Sequence, residues 1–169
     1  MTGNSQIVIR DAEAADLSAL VAVRPPEALH RGRLRDAQSA DFQYFVFLRD
    51  REIVGFGCLV FRRPPTWSNA NDEQHLPQIV DLHIAEAQRG RGYGSAAIRA
   101  MEHITFDAGY RQLYIAVDPL DNPSAYALYQ RLGYQQLQPG PYFHIWESID
   151  GDGKTQRGEV WLVDMVKPL

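Results

Sequence analysis

Between residues 78 and 134 the sequence runs strand, glycine-rich turn, helix, strand, polar loop, helix, and no hairpin turn joins the two strand-like segments. Residues 78–85 carry strand character, and residues 112–117 form the next strand. Residues 95–108 set Ala97, Ile98, Met101, Ile104, Thr105 and Ala108 along one helical stripe, with Gly109 placed to cap it. Asn122 followed by Pro123 supplies an N-cap and a first-turn proline for a second helix, which Gly133 closes. Two strands joined through a helix run parallel, because the chain must return to the starting end before it can pair again. The expected fold is therefore α/β, with a mixed sheet.

The flanking segments read as mostly antiparallel. Residues 7–10 are a short strand, and residues 11–23 carry Ala14, Leu17, Leu20 and Val21 at helical spacing until Arg24-Pro25-Pro26 breaks the run. Residues 27–40 are a candidate helix of poor periodicity. Residues 42–48 and 53–61 form a hairpin around a short polar connection. Residues 62–75 read as a long loop, and residues 142–149 and 159–166 as a terminal strand pair around a solvated tip at 150–158. At 169 residues, against about 150 for a typical domain, one domain over residues 1–169 is expected.

With 17 Lys+Arg against 21 Asp+Glu, the formal net charge is −4, which disfavours general attraction to nucleic acid or to anionic membranes. Cys58 has no second cysteine to pair with and sits in an apolar run, where it reads as a small buried hydrophobe. The N-terminal residues show no basic segment followed by an apolar stretch, so a soluble cytoplasmic protein is expected.

Against that acidic balance stands the loop Arg89-Gly90-Arg91-Gly92-Tyr93-Gly94-Ser95, between strand and helix. Glycines at alternate positions let the backbone approach a ligand closely. Free N–H groups at a helix start, with the helix dipole behind them, bind anions. Together with two arginines they point to a phosphate-bearing ligand. No Gly-x-x-x-x-Gly-Lys-Ser/Thr run exists, which removes the P-loop. Gly92-Tyr93-Gly94-Ser95-Ala96-Ala97 satisfies the dinucleotide pattern Gly-x-Gly-x-x-Ala, and Asp118 stands 26 residues on. The preceding antiparallel hairpin and the short chain after Tyr134 argue against a Rossmann fold.

The loop resembles the Arg/Gln-x-x-Gly-x-Gly/Ala acetyl-CoA pyrophosphate motif of the GNAT superfamily of N-acetyltransferases. Downstream, Asn122-Pro123-Ser124-Ala125-Tyr126-Ala127-Leu128-Tyr129-Gln130-Arg131-Leu132-Gly133-Tyr134 is similar to that family's second motif. The resemblance implies a sheet that splays between its two parallel strands, with the pantetheine arm of acetyl-CoA in the gap. It implies acetyl-CoA as co-substrate, with Leu82, His83, Ile84, Arg89, Gly90, Arg91, Gly92, Tyr93, Gly94, Ser95, Asn122 and Tyr129 as its contacts. A splayed strand edge has unpaired backbone groups that an amide-containing ligand can satisfy.

By the same resemblance Tyr129 reaches the coenzyme sulfur as acid or positioning donor, although it also fits as a core tyrosine beside Ala125 and Leu132. Asn122 combines a helix cap with a cofactor contact. Strict strand alternation puts Val80, Leu82 and Ile84 on one face and Ile79, Asp81 and His83 on the other. That makes Asp81 and His83 the rival bases, with solvent as a third route for the proton. The N–H of Ile84, or a neighbour, polarises the thioester carbonyl. The remaining histidines show no metal-ligand spacing, so no metal is expected. The resemblance implies a small-molecule or peptide amine as the partner, and a homodimer stays open. Acceptor selectivity is expected from residues 24–36, 62–75 and 142–146, with Glu27, Asp72, Glu73 and Glu147 as sources of negative charge.

Overall fold

The computed structural model describes residues 6–69 and 75–169. Among them the elements run β1 (Val8–Asp11), α1 (Leu17–Val23), α2 (Glu27–Asp36), β2 (Phe42–Arg49), β3 (Glu52–Val60) and β4 (Trp67–Asn69). They continue with β5 (Gln78–Ile84), α3 (Tyr93–Asp107), β6 (Gln112–Val117), α4 (Pro123–Arg131), β7 (Gln135–Gln136), β8 (Tyr142–Ile149) and β9 (Thr155–Pro168). One sheet takes the order β1-β2-β3-β5-β6-β9-β8-β4, with β7 also on β9. The β5–β6 pair is parallel and the other pairings are antiparallel.

Two apolar layers sandwich this sheet. On one face Ala97, Ile98 and Met101 of α3 pack, fully buried, with Phe47, Leu59, Leu113 and Met165. Each of these side chains larger than alanine contributes about 1.5–3 kcal/mol on leaving water. On the other face Leu20 of α1 meets Tyr44, Val46, Phe56 and Cys58. Cys58 is fully buried there, and burial pushes its thiol pKa well up, so it behaves as the inert hydrophobe its surroundings suggest. The apolar stripe of α3 closes with a polar lock. Tyr134 donates to Glu102, and Lys167 of β9 holds both oxygens of that carboxylate at 3.0 Å.

Helix α2 explains its own poor periodicity. Its inward residues are His30, Gly32, Arg33 and Asp36, which are polar or minimal. Asp36 accepts from Thr66 Oγ1 at 2.9 Å and Trp67 Nε1 at 3.1 Å. The latter contact anchors β4, a three-residue strand on β8 inside the stretch expected to be loop. The 150–158 tip is solvent-exposed over residues 152–157, as expected, but it is tethered at its base. Arg31 donates to Gly151 O, Arg35 donates to Asp150 O, and Gly151 N donates to Ala28 O, so α2 holds the turn. The last strand also begins at Thr155 rather than at residue 159.

Candidate active site

Strands β5 and β6 pair at only two positions, Gln78 with Tyr114 and Ile79 with Ile115. Beyond Ile79 they part, as the sequence led us to expect, and β5 presents an edge with no ladder partner among the described residues. The parting coincides with a bulge. Asp81 has φ +53°, and the β3–β5 register slips between Phe56 and Cys58. The left-handed conformation costs about 1 kcal/mol or more for most residues, and aspartate is among those that tolerate it best.

The bulge corrects the facing expected from strict alternation. Ile79, Leu82 and Ile84 pack toward α3 and α4, whereas Val80 belongs to the layer under α1 and α2. Ile79 and Val80 have therefore exchanged faces relative to expectation. Asp81 and His83 do share the α2 side. Asp81 accepts from Arg33 Nε at 2.6 Å, and the His83 ring lies on Phe56 with centroids 5.5 Å apart. Burial lowers the His83 pKa, with Arg24 and Arg89 acting the same way.

The gap between the strands widens into a cleft of about 560 Å³. Asp81, Leu82, Asn122 and Tyr129 line it, together with Arg33 and Trp67 from the α2 side. The buried Arg33 guanidinium stacks over the Trp67 ring at 4.4 Å. Tyr129 is only 6% exposed. Its hydroxyl has no hydrogen-bond partner among the described residues and is not a sealed atom, so it opens onto the cleft. Burial pushes its pKa up to about 12, which keeps the phenol protonated. Asn122 caps α4 by accepting from Ala125 N at 3.3 Å, as its place before Pro123 suggested.

At the far end of β5, Ala85 N–H donates to Val54 O of β3. Successive residues of a strand point their amide groups to opposite sides. The groups of Ile84 therefore face away from β3, and its carbonyl accepts from Arg89 Nε at 3.0 Å. Gly90 (φ +75°) and Gly92 (φ +81°) turn the chain into α3 through left-handed conformations that glycine adopts without strain. The first α3 rung is Ala96 N to Gly92 O, which leaves the N–H groups of Tyr93, Gly94 and Ser95 without intrahelical partners. The Tyr93 side chain itself is buried in the core and accepts from Arg49.

A cradle of free amides beside a split parallel pair is the arrangement the two motifs implied, and residues 9–134 match the model of the acetyltransferase (GNAT) family. The chain belongs to that family. It is 32% identical over 109 residues to the mycothiol acetyltransferase of Corynebacterium glutamicum (strain R), a match covering 60% of this chain and 32% of that one. The match thus spans about a third of that relative's length. An N-acetyltransferase from Staphylococcus aureus Mu50 superposes with TM-score 0.67 at 17% identity, covering 96% of this chain and 98% of that chain. A phosphinothricin acetyltransferase from Sinorhizobium meliloti, solved with AcCoA, gives TM-score 0.64 at 20% identity, covering 96% and 88%. At these identities the superpositions speak to the fold.

Within the GNAT frame, all three regions expected to shape acceptor choice reach the cleft, through Arg24 and Arg33, Trp67, and His144 and Trp146. Glu147 also lines it, while Glu27 pairs with Arg31 on the surface. Asp72 and Glu73 lie outside the described residues. Sequence reasoning did not single out Arg33, Asp36 or the place of His144 in the cleft wall. The one available signal was the polar inner face of α2. Among the described residues, no three His, Cys, Asp or Glu side chains group to hold a metal ion.

Proposed function

We propose that this chain transfers the acetyl group of acetyl-CoA to a primary amine by direct attack of the amine on the thioester. The parting of β5 from β6 after two rungs carries the reading, because it opens one cleft shared by Tyr129 and Asp81 and leaves a strand edge free for an amide-bearing arm. The free N–H groups of Tyr93, Gly94 and Ser95 at the α3 start cradle the diphosphate, with Arg89 and Arg91 adjacent. The acetyltransferase names of the curated relatives and the AcCoA-bound structural neighbour support this assignment.

In this reading the N–H of Ile84 polarises the thioester carbonyl. Tyr129 donates a hydrogen bond to the departing sulfur. A phenol at about 12 holds its proton more tightly than a thiol near 8.5, so it serves as a donor rather than giving its proton away. Asp81 draws the acceptor's ammonium group into the cleft, and Asp81 and His83 are the β5 candidates for the amine proton.

The test is calorimetry with coenzyme A, followed by thiol-release assays with acetyl-CoA across a panel of spermidine, glucosamine, tyramine and a peptide with a free N-terminal alanine. Micromolar binding of coenzyme A and thiol release with at least one amine are expected. Indifference to coenzyme A overturns the proposal, and tight binding without transfer to any amine reduces the chain to an acyl-CoA binder.

A further inference from the structure

The amine proton has another destination in the cleft, and the argument for it rests on the acetyl-transfer reading above. Most ionisable groups lining the cleft are already engaged. Arg33 and Asp81 hold each other. Asp118 accepts the N–H groups of Leu120 and Asp121, and Glu147 faces Arg157 at 3.8 Å. Asp150 accepts from Asp152 N, Lys154 N and Gln156 Nε2.

His144 of β8 is different. It is 6% exposed and lines the cleft. Among the described residues neither ring nitrogen has a hydrogen-bond partner, yet neither is sealed from open space. The polar edge of the ring therefore meets the cleft. Tyr142 packs edge-on against it, centroids 6.1 Å apart, with its own hydroxyl committed to Asp164 at 2.8 Å. Burial lowers the His144 pKa, and Arg63 acts in the same sense against an opposing Asp164. The imidazole is thus neutral at neutral pH and free to accept. By contrast, Asp81 is tied to a guanidinium and His83 lies flat on Phe56.

We propose that His144 takes the proton released when the acceptor's amine attacks the thioester carbonyl. The nitrogen lone pair forms the C–N bond while the carbonyl pair moves onto oxygen. The nitrogen, now positively charged and strongly acidic, gives one proton to the free imidazole nitrogen. The oxygen pair returns, the C–S bond breaks, and sulfur leaves with its electron pair. The imidazolium then passes its proton to that thiolate or to water, giving amide and free coenzyme A. Asp81 attracts the cationic acceptor and His144 removes the proton, both from the lining of one cleft.

The pH dependence of kcat, at saturating acetyl-CoA and with the fastest panel amine, tests this for wild type, His144→Gln, Asp81→Asn and His83→Gln. His144→Gln should lose the acidic limb and about 100-fold in kcat while binding coenzyme A as wild type does. The other two variants should keep the limb. Retention of the limb in His144→Gln, or its loss in either β5 variant instead, overturns the assignment. Should His144→Gln misfold, NMR titration of His144 in the wild-type protein with coenzyme A and the amine bound decides, because its pKa in the occupied site must match that of the acidic limb of kcat and a mismatch rejects the role. Wild-type protein that ignores coenzyme A defeats the acetyl-transfer reading itself, a separate failure.

Discussion

Arg33 Nε donates to Asp81 Oδ2 across 2.6 Å, so a guanidinium from α2 fixes the carboxylate that β5 turns toward the cleft. The Arg33 side chain is 9% exposed and that of Asp81 29%, so the pair is lopsided. Removing the acid strands a buried cation, with Asp36 at 3.9 Å as partial compensation. Removing the cation leaves a carboxylate that still reaches water. Asp81→Asn should therefore cost about 2 kcal/mol in urea unfolding, and Arg33→Met should cost less. Equal losses would show that the asymmetry of burial does not govern the pair.

Tyr129 keeps its proton, with a pKa pushed up to about 12 by burial. Tyr129→Phe should lower kcat about 100-fold and leave KM for acetyl-CoA nearly unchanged in steady-state assays. The wild-type kcat profile should show no basic limb from this group below about pH 11. An unaltered kcat removes the phenol from the chemistry.

His30 is fully buried, with Nε2–H donating to Arg24 O and Nδ1 accepting from the Tyr44 hydroxyl, both at 2.6 Å. A second proton would cost that acceptor and place a charge in the core. Burial accordingly lowers its pKa, as it does for His83 and His144. The unfolded chain then binds protons more readily than the folded one. Stability is whole above about pH 6.5 and falls as pH drops through the folded-state values. Urea midpoints should be lower at pH 5 than at pH 7.5, and His30→Gln should flatten the difference.

Gly90 and Gly109 offer a matched pair. Both hold positive φ, +75° and +96°, and a Cβ on either would meet no heavy atom within 4 Å. Alanine at either position should cost about 1 kcal/mol in thermal or urea unfolding, from backbone strain alone. Only Gly90→Ala should weaken coenzyme A binding, by tenfold or so in calorimetry, because Gly109 caps the opposite end of α3. Equal affinities for the two variants would move the diphosphate site away from the loop.

The parallel pair, the β2–β3 hairpin and both capped helices were legible because their signals are local: periodicity, an Asn-Pro start, a closing glycine. The bulge was not, since Asp81 is held by Arg33, 48 residues away. The same cause hid α2 behind a weak pattern, for its inner face satisfies hydrogen bonds instead of burying oil. Strand β4 escaped because three residues carry no period, and the partner that defines it, β8, lies far along the chain. The glycine loop, the split strand pair and the α4 cap could be read in motifs. Trp67 and His144 reach the same cleft from distant segments, and only the fold brings them together.

Among the described residues, two ladder rungs, at Gln78 and Ile79, join the β1-β2-β3-β5 leaf of the sheet to the β6-β9-β8-β4 leaf. The sheet is laid out like a book with a short spine, its covers clasped by the helices. A guest bonded along the open page would act as a borrowed strand, knitting the leaves into one continuous ladder. Occupancy should then slow amide exchange in both leaves at once, which makes the sheet itself a reporter of the filled state.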